Sequence, residues 1–235
     1  ARIGRATMMG QLTGSISHEL NQPLTGILSN AQAAEMLLAR GQLEADELAA
    51  ILAEIASDAM RAGELIRGLL DLYREQKGDF QPVDINAVVD DTIRMLRSEF
   101  VIQGIRISTD RTPSRPSVDG IWVQIQQVLV NLIMNGMDAM KETAARDRHI
   151  RVTTAHDERE VRVWVEDSGD GIDETLIERI FEPLATWTPN GTGIGLAVSN
   201  TIIKAHSGFM WAENRHEGGA RVGFTLPART EHMPA

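Results

Sequence analysis

The sequence predicts two structural parts. The first is a helical hairpin expected to pair with a second copy as a dimeric four-helix bundle. The second is an α/β sandwich, a sheet covered on one face by helices. Three observations predict this. Two long stretches, 3–38 and 46–76, carry apolar residues at helical spacing and are separated by the breaker Arg40-Gly41-Gln42. At Lys77-Gly78-Asp79 the composition shifts and the helical run stops, which places a boundary near 77–82 and domains at 1–78 and 79–235. Beyond that point, segments alternating apolar with polar are mixed with helical ones, the pattern of an α+β layer pair.

In the first helix the stretch 15–24 reads SISHELNQPL. On a helical wheel Leu12, Ile16 and Leu20 fall within about 80° of one another, while His18 lies about 200° from the middle of that stripe. His18 thus shares a polar face with Gln11, Gly14, Ser15, Asn21, Gln22 and Thr25 and is expected to point to water. Pro23 removes a backbone donor, so a kink is expected just after His18. The second helix repeats Leu48, Ile51, Leu52, Ile55, Met60, Leu65, Ile66, Leu69 and Leu72 at spacings of three, four and five. Two helices on a short loop form an antiparallel hairpin, which alone leaves apolar stripes uncovered. Pairing with a second copy is the expected solution.

The second part starts with a helix expected over 86–100, then a strand over 105–109 and a loop over 111–117 with two prolines. A helix over 121–141 and strands over 150–155 and 160–166 follow. A loop, a helix over 195–204 and strands over 210–213 and 220–226 complete it.

Composition narrows the partners. At 235 residues with 43% hydrophobic content, the chain has ample material for a core. A formal net charge of −10 argues against nonspecific binding to nucleic acid or an anionic membrane, and leaves open a nucleotide held through magnesium. With no cysteine, disulfides, zinc-thiolate sites and thiol catalysis are excluded. There is no run of about 18 apolar residues and no secretory signal, so a soluble, cytoplasmic piece is expected. The chain begins inside a helical pattern without an initiator Met, the mark expected of an excised fragment whose N-terminal part is missing.

Four motifs in the second part share a theme. In NLIMNGMD, Asn131, Asn135 and Asp138 stand at i, i+4 and i+7, which stacks three oxygen-bearing side chains on one helix face. Such oxygens suit magnesium, which takes few protein ligands beside waters and phosphates. Asp167-Ser168-Gly169-Asp170-Gly171-Ile172 directly follows the strand VRVWVE. Its glycines let backbone approach a flat ligand, and Asp167 is placed to accept a hydrogen bond from an exocyclic amine. Ile180-Phe181-Glu182-Pro183 is an apolar hook opening a loop. Asn190-Gly191-Thr192-Gly193-Ile194-Gly195-Leu196 then opens a helix, where amides can surround phosphate oxygens. The glycines follow a loop instead of a strand and no Walker lysine is present, so neither common phosphate fingerprint is met.

With these residues in order, SISHELNQPL resembles the H box of sensor histidine kinases, and the four motifs resemble their N, G1, F and G2 boxes. The resemblance spans nearly the whole chain. It implies a phosphoacceptor hairpin followed by a Bergerat-type ATP-binding sandwich, and the HELNQPL form is similar to the branch with oxygen-sensing and dicarboxylate-sensing kinases. Carried over, it implies His18 as phosphoacceptor and Glu19 as its orienting base. It implies Asn135 as magnesium ligand with Asn131 close by, Asp138 on the same face, and Asp167 as the adenine-recognising carboxylate. Gly169, Gly171 and Ile172 would shape the pocket, and Gly191, Thr192, Gly193, Gly195 and Leu196 the lid over the phosphates. ATP and Mg2+ are the implied cofactors; a homodimer partner, a response-regulator receiver domain and a missing N-terminal sensor domain are the implied partners.

Two departures stand out. The lid reads LATWTPNGTG, with Leu184, Ala185 and Thr188 where relatives usually carry two aromatics and a lysine, and with an added Trp187. Gln22 stands four after His18, where kinases with phosphatase activity usually have Thr or Asn. Two competing readings remain: an ATPase of the same superfamily, disfavoured because Asn131 replaces the glutamate that activates water there, and a dimeric scaffold that binds nucleotide without transferring phosphate.

Overall fold

The computed structural model describes residues 2–41, 44–73, 79–113, 115–183 and 193–229; the side chains of 2–19, 61, 64, 65 and 67–73 lie outside that description. The chain forms two compact units, Ala1–Arg74 and Glu75–Ala235.

In the first unit, helices α1 (Arg2–Ala39) and α2 (Ala45–Tyr73) pack along each other as the expected hairpin. Helix α1 passes through Pro23 as one helix, although that proline has no N–H to give to the carbonyl of Glu19. Gly41, at φ +65°, sits in the left-handed region that ends the helix. Asn30 Nδ2 donates to Glu54 Oε2 at 2.9 Å, joining the two helices. Among the described side chains of this unit, only Pro23 and Ala62 are buried. Leu24, Leu28, Met36, Leu38, Leu52 and Met60 are 48–69% exposed. The described part of the hairpin thus leaves apolar surface still to cover. The expected result is a homodimer through this unit at micromolar concentration, measured by sedimentation of the whole chain; a monomer mass would overturn it.

The second unit is built on a five-stranded sheet: β2 (Arg106–Arg111), β4 (His149–His156), β5 (Glu160–Glu166), β7 (Ala220–Pro227) and β6 (Phe209–Asn214), in that spatial order. The β2–β4 pair is parallel and the others antiparallel. Helices α3 (Ile85–Met95), α5 (Trp122–Ala139) and α6 (Gly195–Ala205) cover one face. Alternation puts Ile150, Val152, Val161, Val163, Phe224 and Leu226 under the helices, all fully buried. Each large apolar side chain so buried contributes about 1.5–3 kcal/mol. The opposite face carries Arg151, Arg162, Trp164 and Trp211, which are exposed or half-buried.

Two expectations need correction. The helix expected over 86–100 is split into α3 and α4 (Arg97–Ile102) at Leu96, whose ψ of 7° leaves the helical region so that its side chain can bury. A second, two-stranded sheet was not anticipated: β1 (Gln81–Asp84) pairs antiparallel with β3 (Ser117–Gly120). Four-residue strands give no readable alternation, and what holds this pair is Val83 opposite Val118, both buried. Asp84 then caps α3, accepting from the Ala87 amide at 3.2 Å.

Candidate functional site

The site grows from α5, α6 and the loop that leaves β5. Helix α5 buries Ile125, Leu129, Leu132, Ile133 and Met137. Its three polar residues of interest have three different surroundings. Asn131 Nδ2 donates to the Gly195 carbonyl at 3.1 Å and to Ser199 Oγ at 3.2 Å, so its amide end is committed to α6 and Oδ1 is the atom left for a ligand. Asn135 faces a cleft. Asp138 pairs with Lys141 at 2.9 Å near the helix end and is not part of the cleft wall.

At the opposite end, His206 fixes α6 to the start of α5. Its Nε2 accepts from the Ile121 amide at 3.0 Å, which leaves the ring proton on Nδ1, facing the Ile202 carbonyl at 2.8 Å. Burial pushes the His206 pKa below its ordinary value, which keeps the accepting tautomer.

The cleft that Asn135 faces lies among α5, α6, β5, β7 and the loop leaving β5. Its walls are mostly apolar: Leu132 and Ala139 of α5, Val165 of β5, Val222 of β7, Ile172, and Leu196 of α6. Asn135 and Asp167 supply its polar side chains. Asp167 Oδ1 is occupied by the amides of Gly169 at 2.9 Å and Ala220 at 3.2 Å. No described residue donates to Oδ2, the oxygen left for a ligand. Burial raises the Asp167 pKa, against the pull of those two amides and of the Arg215 guanidinium. An apolar cleft with one carboxylate oxygen free suits a ring bearing an amine donor.

The glycines divide. Gly171, at φ +86°, lines the cleft and adopts a backbone that side chains strain to reach. Gly169 lies behind the wall, where an added Cβ would come within 2.5 Å of the Ala139 carbonyl, so its smallness serves packing. Gly195 is the first residue of α6, and Gly193 at φ +62° precedes it. Residues 184–192 lie outside the described residues, and with them Gly191, Thr192, Trp187 and Thr188. His18 and Glu19 belong to the backbone of α1, but their side chains lie outside the description. Of the polar face expected around His18, Asn21, Gln22 and Thr25 are exposed.

Residues 120–230 match the family model "Histidine kinase-, DNA gyrase B-, and HSP90-like ATPase", and residues 8–78 match "His Kinase A (phospho-acceptor) domain". The catalytic domain of the histidine kinase ThkA, in a nucleotide-free form, is 30% identical with a TM-score of 0.58 over 64% of this chain and 96% of its own. The chain belongs to the sensor histidine kinases. Sensor protein FixL of Bradyrhizobium diazoefficiens is 32% identical to this kinase over 98% of the chain and 46% of the relative. ThkA in complex with the response regulator protein TrrA shares the fold over 99% of this chain and 65% of its own, at a TM-score of 0.75 and 23% identity. The kinase chain spans less than half the length of the curated relatives it matches first. Among the described residues, no helix is long and apolar enough to cross a membrane.

Sequence reasoning missed the part of the site that comes from β6 and β7. Ala220 and Val222 line the cleft, and Asn214 and Arg215 bond the loop behind it. These residues stand about fifty positions from Asp167 in a stretch, ENRHEGGARV, that carries no motif; only the sheet pairing brings them together.

Proposed function

We propose that this chain is the kinase core of a two-component sensor, transferring the γ-phosphoryl group of ATP to His18 and then to an aspartate of a response-regulator receiver domain. The observation that carries the reading is the cleft lined by Asn135 and by Asp167, whose Oδ2 meets no donor among the described residues, in a unit that follows a hairpin bearing His18-Glu19. Residues 1–78 would serve dimerisation and phosphotransfer, and 79–235 nucleotide binding.

Asp167 accepts the exocyclic amine of adenine while Leu132, Val165, Ile172 and Leu196 sandwich the ring. Donors at Asn135, with Asn131 Oδ1 nearby on the same helix, are the neutral oxygens that Mg2+ accepts when phosphates and waters complete its shell, so the residues present fit that ion. Magnesium would supply charge neutralisation of the phosphates. On the acceptor side, Glu19 holds one imidazole nitrogen of His18 protonated and leaves the other free to attack phosphorus. Phosphoryl transfer demands chiefly alignment and charge neutralisation. A response regulator is the partner by analogy with the ThkA–TrrA complex, and a cytoplasmic setting goes with that partner.

Incubation of the whole chain with γ-labelled ATP tests the reading. Acid-labile, base-stable label on the protein is expected. Free phosphate without label would mean an ATPase, and neither would mean a scaffold.

The lid composition carries a prediction of its own. Thr188 replaces the usual lysine and, with no lid cation, ATP is expected to bind little more tightly than ADP. Thr188→Lys is expected to favour ATP over ADP and to speed labelling of His18, since a cation near the phosphates stabilises the transferring group. Calorimetry with both nucleotides on wild type and variant checks it; a wild type that already strongly prefers ATP, unchanged by the lysine, would refute it.

A further inference from the structure

The turn between β6 and β7 holds the loop leaving β5 at two points, and none of the sequence motifs includes it. Asn214, the last residue of β6, clamps Ile172 with both ends of its carboxamide: Oδ1 accepts from the Ile172 amide at 2.7 Å, and Nδ2 donates to the Ile172 carbonyl at 2.7 Å. Arg215 Nη1 donates to the Asp167 carbonyl at 2.8 Å. Ala220 closes the same point from β7, its carbonyl accepting from the Asp167 amide at 3.1 Å and its amide donating to Oδ1. The turn itself is tied by the Arg215 amide donating to the Gly219 carbonyl at 2.9 Å. Gly219, at φ +79°, passes too close to the Asp167 carbonyl to admit a side chain.

These contacts exceed what the hairpin needs for its own ladder, since β6 and β7 already pair from Phe209 to Asn214. They converge on two residues that line the cleft. Hydrogen bonds weaken steeply as they bend, whereas apolar contact with a ring tolerates small shifts. A loosened Asp167 main chain therefore loses its bond to an amine before the slot loses its grip on the ring.

The geometry points to Asn214 and Arg215 as positioning residues that set selection for the exocyclic amine of adenine, acting through Ile172 and Asp167. This rests on the reading of Asp167 as the adenine-recognising carboxylate. Arg215 can be removed without stranding the neighbouring buried carboxylate, because Glu166 keeps Arg221 at 2.6 Å.

The test measures equilibrium binding of ATP and of purine riboside triphosphate, which is ATP without the C6 amine. The proteins are the wild-type chain, Arg215→Met, Arg215→Lys and Asn214→Ala. Wild type is expected to prefer ATP about ten- to a hundredfold, the effect of one hydrogen bond to a charged group. In Arg215→Met and Asn214→Ala, ATP is expected to weaken roughly tenfold while the analogue changes little, so the preference falls by the same factor of about ten. Arg215→Lys, which keeps a donor and a charge, is expected to regain part of it. Parallel loss of both nucleotides with the preference intact would make these residues structural only and overturn the inference, as would variants that match wild type. A wild type without preference would refute the reading of Asp167 itself, and the inference with it. If Asn214→Ala does not fold by thermal melting, Arg215→Met decides alone.

Discussion

His18→Gln is expected to remove all acid-labile label from the chain while ATP binds near the wild-type level. Every described wall residue of the cleft lies in the second unit, and His18 lies in the first. A polar replacement on the face that carries exposed Asn21, Gln22 and Thr25 changes stability little, within about 0.5 kcal/mol for an ordinary surface site. Two of the other histidines are poor substitutes as acceptors. His206 is buried with both ring nitrogens engaged, and His149 shares its Nε2 with Ser108 Oγ at 2.8 Å. Gel detection of the label after acid and base treatment, beside calorimetric ATP binding, checks both halves. Label persisting on the variant would move the acceptor elsewhere.

Asp167→Asn is expected to weaken ATP binding by about ten- to a hundredfold, the range for losing a hydrogen bond to a charged acceptor. The substitution is nearly isosteric, and its remaining oxygen can keep the amides of Gly169 and Ala220 that Oδ1 now holds. That choice turns the new amide nitrogen toward the cleft, where an adenine amine would meet a donor instead of an acceptor. The fold should survive the change, since the backbone bonds to Ala220 and Arg215 do not depend on the carboxylate. Calorimetry with a melting curve separates lost recognition from lost structure. An Asn variant that binds ATP as wild type does would refute the assignment of the cleft.

Much of the fold was legible because long periodic segments announce themselves. The two stretches at helical spacing became α1 and α2, and the alternation in EVRVWVE became β5 with its expected bounds. The short pair β1–β3 and the break at Leu96 were not legible. Neither is encoded by periodicity: the strand pair is held by Val83 opposite Val118, distant in sequence, and the helix breaks where Leu96 is buried.

For the site, the local motifs placed Asn135, Asp167, Gly171, Ile172 and Leu196 at one cleft, since each stands in the loop that leaves a strand or on a helix facing it. Spacing alone also grouped Asn131, Asn135 and Asp138, and there tertiary structure redistributed the roles. Asn131 is drawn to the Gly195 carbonyl and Ser199, while Asp138 meets Lys141 within its own stretch of chain. A helix period says which residues share a face, not which neighbour each will find.

By itself, then, the sequence determined the two-part architecture and the chemical types brought to the cleft, because amphipathic period and glycine placement are local properties of the chain. Only the tertiary structure decided which oxygen of Asp167 stays free, why Gly169 is small, and that Asn214 and Arg215 stand behind the pocket. Those depend on β7 pairing with both β5 and β6, which places the β6–β7 turn against a loop some fifty residues earlier. Pairing of this kind is a sum of many weak, nonlocal contacts, and no single stretch of sequence carries it.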